Sequence, residues 1–209
     1  STCTTLTEVE RSVYNVFMKT SQPSLESLPP RERILVAAHG LFYAEGIRAT
    51  GVDRIIERSS VSKVTFYRQY ASKDDLIRAY LDYRHERWIS WFQASLAQEA
   101  AGGSSALDAL STTLRSWFGQ PDFRGCAFLN AAAELGSSDP EILATVRRHK
   151  QEMSSVLDRL FGGRSVSVGA ALTLVADGAI VHAQMGQPID EVMENFKAAA
   201  EGIVSRPGL

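Results

Sequence analysis

Apolar residues recur along this chain at the spacing of an α-helix, and no stretch alternates apolar and polar positions as a half-buried strand would. In the clearest case, residues 31–45, the apolar side chains fall on one helical face. The same spacing predicts a short helix from Val52, another between Val61 and Tyr70, and a long one from Ser72 to about Gln93. Five more predicted helices follow, over residues 106–118, 126–134, 140–161, 166–185 and 189–204. The pattern therefore predicts an all-α fold.

Cap and turn residues mark the ends of these predicted helices. Gly46 follows the first helix as a C-cap, and Thr50 is the expected N-cap of the second. Ser59 and Ser60 form the turn before the third helix. Ser72, followed by an acidic residue three positions later, has the form of a capping box at the start of the long helix. The later helices are separated by stretches that contain Gly or Pro.

The pattern divides the chain into three parts. Residues 1–29 hold an amphipathic stretch over 6–18 and a loop rich in Ser and Pro, and they fit an ordered arm and a frayed tail equally well. Residues 30–76 form a compact domain of three helices. Residues 77–209 form a larger helical body, which the long helix joins to that domain.

Composition places the chain among ordinary globular proteins, with 44% hydrophobic and 22% charged residues in 209. Its two cysteines, Cys3 and Cys126, give neither a disulfide framework nor the spacing of a zinc site, so they indicate a reducing compartment. No stretch reaches the roughly 18 apolar residues of a membrane span, and acidic residues stand where a signal peptide would be basic. We therefore expect a cytoplasmic protein with no membrane partner.

The net charge of −2 is unevenly distributed. Residues 31–84 carry ten Lys and Arg against seven Asp and Glu, whereas residues 85–209 carry ten against fourteen. A mildly basic domain on an acidic body fits a DNA-binding head, although chance asymmetry explains a difference of this size as well.

The third predicted helix has the side chains that a DNA-reading helix requires. Lys63 can donate to guanine N7 or O6 or to a phosphate, and the methyl groups of Val64 and Thr65 can contact thymine methyls. On charge alone, a merely solvated helix face is the simpler interpretation. The outward positions of this helix are Ser62, Lys63, Thr65, Tyr67 and Arg68.

The run from Val52 to Leu76, with the preceding helix and the EGIRAT link, resembles in register the N-terminal helix-turn-helix domain of the TetR family of bacterial transcriptional repressors. The resemblance covers roughly residues 31–80, and the rest of the chain by architecture only. The resemblance implies that Tyr67 and Lys73 contact phosphates, and that Arg68 and Gln69 vary the sequence that is read. The residues that we expect to contact DNA are Thr50, Ser62, Lys63, Val64, Thr65, Tyr67, Arg68, Gln69 and Lys73.

Two departures from the family pattern fall close to this surface. The turn has Ser59-Ser60 in place of an Ala-Gly pair, and because serine tolerates positive φ poorly we expect a strained or altered turn. Tyr70 replaces a phenylalanine. Asp53 is also unexpected beside phosphates. It can add a base or backbone contact, pair with Arg54, or cap its helix.

The resemblance implies that the body encloses an inducer pocket, and its aromatic side chains suit a hydrophobic or aromatic small molecule. Most of these rings we expect in the core, and the polar groups among them can equally be satisfied structural hydrogen bonders. The candidate ligand contacts are Trp88, Trp91, Phe92, Trp117, Phe128, Asn130, Glu134, His149 and His182. The histidines are far apart in sequence, so we predict no metal site, and no cofactor is implied.

The last two predicted helices resemble the dimerisation pair of the family. Small residues recur on both, which lets helices approach closely, although an intramolecular core would use the same pattern. A homodimer is the stronger expectation, because a twofold protein matches a palindromic double-stranded operator.

These features predict a ligand-responsive DNA-binding regulator, a repressor that a hydrophobic small molecule releases from its operator. No nucleophile elbow, phosphate-binding loop or zinc-protease motif is present, so we do not expect an enzyme. The alternative is a helical small-molecule carrier or interaction module that has lost DNA binding.

Overall fold

The computed structural model describes residues 27–136, 139–162 and 168–205, and within these ranges every regular element is a helix. This confirms the predicted all-α fold. The predicted helix over residues 6–18 lies outside the described residues. In chain order the helices are α1 (Pro30–Glu45), α2 (Val52–Ser59), α3 (Lys63–Gln69), α4 (Lys73–Ala101), α5 (Ala106–Phe118), α6 (Ala127–Leu135), α7 (Pro140–Leu160), α8 (Val168–Gln184) and α9 (Ile189–Val204).

Helices α1, α2 and α3 pack around a small apolar core formed by Ile34, Phe42, Ile55 and Phe66, each at most 3% exposed. Burying four large side chains stabilises a domain that is too small to rely on helix propensity alone. The core fixes which faces of α2 and α3 remain outside.

Two cap residues were predicted between α1 and α2. The structure confirms Gly46 as the C-cap of α1 and contradicts Thr50 as the N-cap of α2. Gly46 ends α1 with φ of 93°, and its N–H donates to the Phe42 carbonyl, as a C-cap should. Thr50 is not the N-cap of α2. That position is Gly51, and the Thr50 hydroxyl donates instead to the Gly46 carbonyl at 2.7 Å.

The turn between α2 and α3 places Ser60 in the left-handed region, at φ 52° and ψ 41°. It is the one non-glycine residue with positive φ in the described part of the chain. Ser59 is fully buried, and its hydroxyl donates to the Ile56 carbonyl at 3.2 Å. Of the two predicted alternatives, the strained turn is therefore the one observed, at Ser60.

The long helix α4 extends to Ala101, eight residues beyond the predicted end near Gln93. The added residues are mostly Ala, Leu, Gln and Glu, which favour a helix, and Gly103 at φ 87° follows the end. The Ser72 hydroxyl caps its start by accepting the Asp75 N–H at 3.0 Å.

The chain forms two compact units, and each is assembled from separate stretches of sequence. The head unit contains the described residues up to Arg87 and returns for residues 127–146. The body unit contains residues 88–126 and the described residues from 147 onward. Both α4 and α7 therefore contribute to both units. The predicted boundary after residue 76 follows the helix-turn-helix motif, whereas the compact head includes half of α4, all of α6 and the start of α7.

In the body unit, α8 packs on α9, and α9 also packs on α5. Leu172, Ile180 and Phe196 are at most 2% exposed between these helices. Ion pairs support the packing, with Arg115 bonded to Asp190 and Lys197 bonded to Asp108. Among the described helices, none is long and apolar enough to cross a membrane.

Candidate nucleic-acid interface

The outer face of α3 is exposed because its other face is committed to the core. Phe66 is fully buried and Tyr70, just beyond the helix, is 3% exposed. The opposite face of the helix points outward, with Val64 78% exposed and Tyr67 46% exposed. Lys63 and Arg68 are exposed as well. Apolar and basic side chains therefore share the exposed face of this short helix.

The hydroxyl groups predicted on this face also form the N-cap of α3. The Ser62 Oγ accepts the Thr65 N–H at 3.1 Å, and the two hydroxyl oxygens are 2.9 Å apart. Because each hydroxyl can donate and accept, one can still bond outward while the cap is kept. Gln69 is half-buried, and its backbone carbonyl accepts a bond from Arg31 at 2.6 Å.

Arg31 ties α1 to the end of α3. Besides the bond to the Gln69 carbonyl, its guanidinium lies 4.4 Å from the centre of the Tyr70 ring. The Tyr70 hydroxyl donates back to the Arg31 carbonyl at 3.3 Å. The tyrosine that departs from the family pattern therefore adds a polar contact between α1 and α3, which the sequence alone did not reveal.

Asp53 lies at the start of α2 and pairs with Lys63, the first residue of α3, at 3.5 Å between carboxylate Oδ1 and ammonium Nζ. The predicted alternatives for Asp53 were wrong in two respects. Arg54 pairs with Glu45 instead, and the N-cap of α2 is Gly51 with no side-chain hydrogen bond. Sequence spacing could not identify this pair, because its members are on different helices.

Thr50 is fully buried, so its side chain has no access to a base or a phosphate. Its hydroxyl holds the corner before α2 by bonding to Gly46. The structure therefore makes Thr50 a positioning residue of the head, and only its backbone remains as a candidate DNA contact.

Lys73 lies in the first turn of α4 and is half-buried, with its ammonium donating to the Ile47 carbonyl at 2.6 Å. Burial lowers the pKa of Lys73 below its usual value, while the nearby Asp74 and Glu134 carboxylates act in the opposite direction. An ammonium has three donors, so the bond to Ile47 leaves two for a phosphate.

Glu134, predicted as a ligand contact, joins α6 to the same corner of the head. Its Oε2 accepts the Arg48 N–H at 2.8 Å. A Cβ on Gly46 would lie 3.4 Å from the same carboxylate, which is ordinary van der Waals contact, so glycine is favoured there by its φ of 93°. Asn130 and Glu134 also line a cavity of about 10 Å³, which holds at most one water and no drug-sized ligand.

The body unit gathers most of the predicted aromatic residues into one buried cluster. Trp88 stacks on Phe92 with ring centres 4.7 Å apart, and it meets Trp117 and His149 edge to face at 5.4 and 5.1 Å. Trp91 is fully buried beside them, 5.9 Å from Trp88. In this part of the chain, the indole N–H groups of Trp88 and Trp117 are buried without a hydrogen-bond partner.

The remaining predicted ligand contacts are not in this cluster. Phe128, like Asn130 and Glu134, belongs to the head unit, where its ring lies 6.3 Å from that of His85. His182 is exposed on α8, and its Nδ1 is 2.8 Å from the Gln187 side-chain oxygen. Over the described positions, no group of three or more His, Cys, Asp and Glu side chains could hold a metal ion.

The face of α8 around His182 is open and apolar. Leu174, Val181 and Met185 are 74%, 42% and 64% exposed, and a Cβ on Gly178 between them would meet no atom within 4 Å. A groove of about 550 Å³ lies between α8 and α9 beside this stripe. The small residues Ala176, Ala179 and Ala200 are buried within the body unit. The small residues predicted for a dimer contact therefore belong in part to the intramolecular core, while the exposed stripe lies on the other face of α8.

A family profile described as "Bacterial regulatory proteins, tetR family" matches residues 34–80, which contain most of α1, all of α2 and α3, and the start of α4. The crystal structure of a TetR-family transcriptional regulator from Streptomyces coelicolor is 31% identical to this chain. It superimposes with a TM-score of 0.69 over 84% of this chain and 94% of its own.

The chain belongs to the TetR family.

Two curated relatives of this TetR-family chain are also regulators. The HTH-type transcriptional repressor ComR of Escherichia coli (strain K12) is 22% identical over 176 residues, covering 78% of this chain and 84% of its own. The HTH-type transcriptional regulator TcmR of Streptomyces glaucescens is 27% identical over 139 residues, covering 64% and 59%. This TetR-family member is thus a transcriptional regulator and not an enzyme. Proteins of the family bind operator DNA, act as dimers and respond to small molecules.

Proposed function

We propose that this TetR-family regulator is a homodimeric repressor, which a hydrophobic or aromatic small molecule releases from a palindromic operator. The observation that carries the proposal is the outer face of α3, where Lys63, Val64 and Tyr67 are exposed on a buried apolar platform. A donor, a methyl-bearing side chain and a phenol at the surface of one short helix match the groups of the major groove.

Proposed phosphate contacts flank the proposed base contacts. Tyr67 and Lys73 have donors that suit phosphates, whereas Lys63 and Val64 suit base edges, and Arg68 and Gln69 vary the reading. Ser62 and Thr65 contribute through the hydroxyl that their shared cap leaves available.

Dimerisation is supported by the exposed stripe of Leu174, Val181 and Met185 on α8. A monomer that leaves three large apolar side chains in water gains free energy by covering them, and Gly178 lets a second helix come close. Two copies related by a twofold axis then present two reading helices to two half-sites.

The small-molecule response is supported by the aromatic cluster of the body unit. Two buried indole N–H groups without partners each carry a desolvation cost of about 1–3 kcal/mol, which a ligand with a hydrogen-bond acceptor would relieve. A ligand of this kind releases the operator by binding more tightly to the state that does not fit DNA, at about 1.4 kcal/mol for each tenfold loss of affinity.

The test is a gel shift with the duplex DNA upstream of the gene for this protein and of its neighbours, repeated with a panel of aromatic small molecules. We expect a specific complex at moderate salt that one or more of these molecules dissociates. If no fragment is bound specifically, or if the affinity hardly changes with salt, the repressor proposal is wrong. The alternative of a small-molecule carrier that has lost DNA binding is then favoured.

Variants separate the two classes of contact. Tyr67→Phe and Lys73→Ala should weaken binding to all sequences about equally, whereas Lys63→Ala should relax the preference at particular base pairs. An unchanged sequence preference in Lys63→Ala would remove direct reading by this residue from the proposal.

A further inference from the structure

Two oppositely charged side chains from different helices meet on the proposed DNA surface. The Asp53 carboxylate of α2 and the Lys63 ammonium of α3 are 3.5 Å apart, with 87% and 66% of their side chains exposed. An ion pair this exposed contributes little to stability, because water screens both charges. Stabilising the contact between α2 and α3 is therefore not enough to account for this ion pair on the outer face.

Neither charge is required by its own helix. The start of α2 is capped at Gly51 without a side chain, so the Asp53 carboxylate is not used there. Its neighbour Arg54 is bonded to Glu45 of α1 and does not compete for it. The cap of α3 uses the Ser62 hydroxyl, which leaves the Lys63 ammonium to Asp53 and the surroundings.

A carboxylate beside an ammonium places hydrogen-bond acceptors next to donors. In the major groove a G·C pair presents the complementary arrangement, with the acceptors N7 and O6 on guanine next to the N4 amino donor on cytosine. Because O6 and N4 are joined in base pairing, they lie one hydrogen-bond length apart, close to the separation of the two charged groups. Lysine to guanine and aspartate to cytosine are also the pairings that these side chains favour.

We propose that Asp53 and Lys63 together read one G·C base pair in each half-site, with Lys63 on the guanine and Asp53 on the cytosine. This assignment rests on the proposed DNA-binding function. It adds Asp53, on the second helix, to the residues that determine specificity, and it fixes the orientation of that base pair.

The pair also explains how an acidic side chain is tolerated beside the DNA backbone. A lone carboxylate in the groove is repelled by the phosphates on both sides, whereas a carboxylate that contacts an ammonium forms a nearly neutral group. An A·T pair fits less well, because the thymine methyl lies beside the O4 acceptor and adenine offers one acceptor where guanine offers two. Reading therefore depends on both residues at once.

The experiment is a binding selection from duplexes with a randomised central stretch, carried out on the intact chain and on Asp53→Ala, Lys63→Ala and the double variant. In the unsubstituted protein we expect one position of each half-site to favour G·C in a single orientation by about ten- to hundredfold. Both single variants should lose this preference at the same position, and the double variant should lose no more than either one. Circular dichroism should be unchanged, because both side chains are exposed.

Glu57→Ala is the matched control, since it removes one negative charge from an exposed position of α2, one turn beyond Asp53. It should change affinity for all sequences alike and leave the preferred base pair intact. Asp53→Asn keeps an acceptor oxygen and should retain part of the preference for cytosine.

Three results would overturn the assignment while leaving the DNA-binding function in place. These are a uniform gain in affinity in Asp53→Ala with an unchanged preferred site, loss of preference at different base pairs in the two single variants, and an A·T preference at the shared position. A selection that returns no enriched sequence with the unsubstituted protein contradicts the proposed function itself.

Discussion

Two surfaces of this protein expose large apolar side chains, and they differ in what surrounds those side chains. On α3, Val64 and Tyr67 alternate with Lys63 and Arg68 on a helix of seven residues. Along α8, a helix of seventeen residues, Leu174 and Val181 form an exposed stripe with Met185, which directly follows the helix, and Gly178 lies between them. The first surface offers methyl and phenol groups beside charged side chains, whereas the second offers an apolar stripe that a helix can approach closely.

The difference indicates that exposure alone does not identify a partner. A charged and polar partner such as DNA requires donors beside the apolar groups, which α3 provides. A second helix requires small residues and few charges, which α8 provides. The two surfaces can therefore be disrupted separately. A negative charge introduced on either one should directly weaken the binding of its own partner only.

The largest effect is expected from Leu174→Glu. A carboxylate at this 74% exposed position costs an isolated chain little, but in a dimer it would be buried without a partner. We expect the dimer dissociation constant to rise by about a thousandfold, and operator affinity to fall with it because both half-sites are no longer bound together. Sedimentation velocity measures the first effect and a gel shift the second. A variant that remained a dimer would place the interface elsewhere.

Val64→Glu is the counterpart on α3. The glutamate would face the phosphates at a 78% exposed position, so we expect DNA affinity to fall by roughly a hundredfold on every sequence. The dimer should persist unchanged in sedimentation, which makes each variant the control for the other. Loss of dimerisation in Val64→Glu would contradict the separation of the two surfaces.

The third prediction uses pH to distinguish the two units. Desolvation by burial, with Arg84 and Arg87 nearby, lowers the pKa of His39 in α1 to about 3. The unfolded chain then binds a proton below pH 6.5 that the folded head does not, so stability is complete above pH 6.5 and declines as pH falls. Between pH 6.5 and 5 the loss should reach at most about 2 kcal/mol of unfolding free energy.

Urea melts of the unsubstituted protein and of His39→Gln at several pH values measure how steeply the free energy of unfolding depends on pH. All three tryptophans lie in the body unit, so their fluorescence follows that unit, whereas circular dichroism follows both. We expect the acid-dependent change in the circular dichroism transition, and the slope should be absent in His39→Gln. An equal slope in both proteins would exclude His39 as its source.

The smallest effect concerns the turn that orients α3. Ser60 has φ of 52°, which costs less for glycine, so Ser60→Gly should raise the free energy of unfolding by about 0.5–1 kcal/mol. Ser59→Gly is the control, since Ser59 is the last residue of α2 and should lose about 1 kcal/mol or more. The urea concentration at the midpoint of unfolding, with an unchanged dependence of the free energy on urea, distinguishes the effects of the two variants. A destabilised Ser60→Gly would mean that the serine side chain, and not its backbone, holds the turn.

The helical pattern predicted the nine described helices closely because long apolar stripes determine where helices form. It did not predict the cap of α2, since the choice between Thr50 and Gly51 depends on a hydrogen bond across the α1 corner. The exposed face of α3 followed from the positions of its residues within one short helix. The Asp53–Lys63 pair did not, because local spacing carries no information about contacts between helices.

The candidate ligand residues show the same limit at larger scale. Trp88 and Trp117 are candidates by aromatic character and His149 by its polar group in an apolar stretch, and the fold brings the three together. Asn130 and Glu134 were added because they occupy polar positions in an apolar stretch, but Glu134 serves the head by accepting the Arg48 N–H. A polar residue in an apolar helix indicates that a partner exists without indicating which one.

The assembly of the head unit from two stretches of chain has a consequence for anyone who recombines such regulators. A chimera cut just after the helix-turn-helix motif would take Arg48 and Gly46 from one parent and Glu134 from the other, so the Arg48 N–H would depend on a foreign acceptor. Moving residues 127–146 with the motif but without the first half of α4 would in turn separate Arg78 from Asp139 and Glu141. The transferable part is therefore discontinuous, and residues 127–146 should be moved together with residues 30–87.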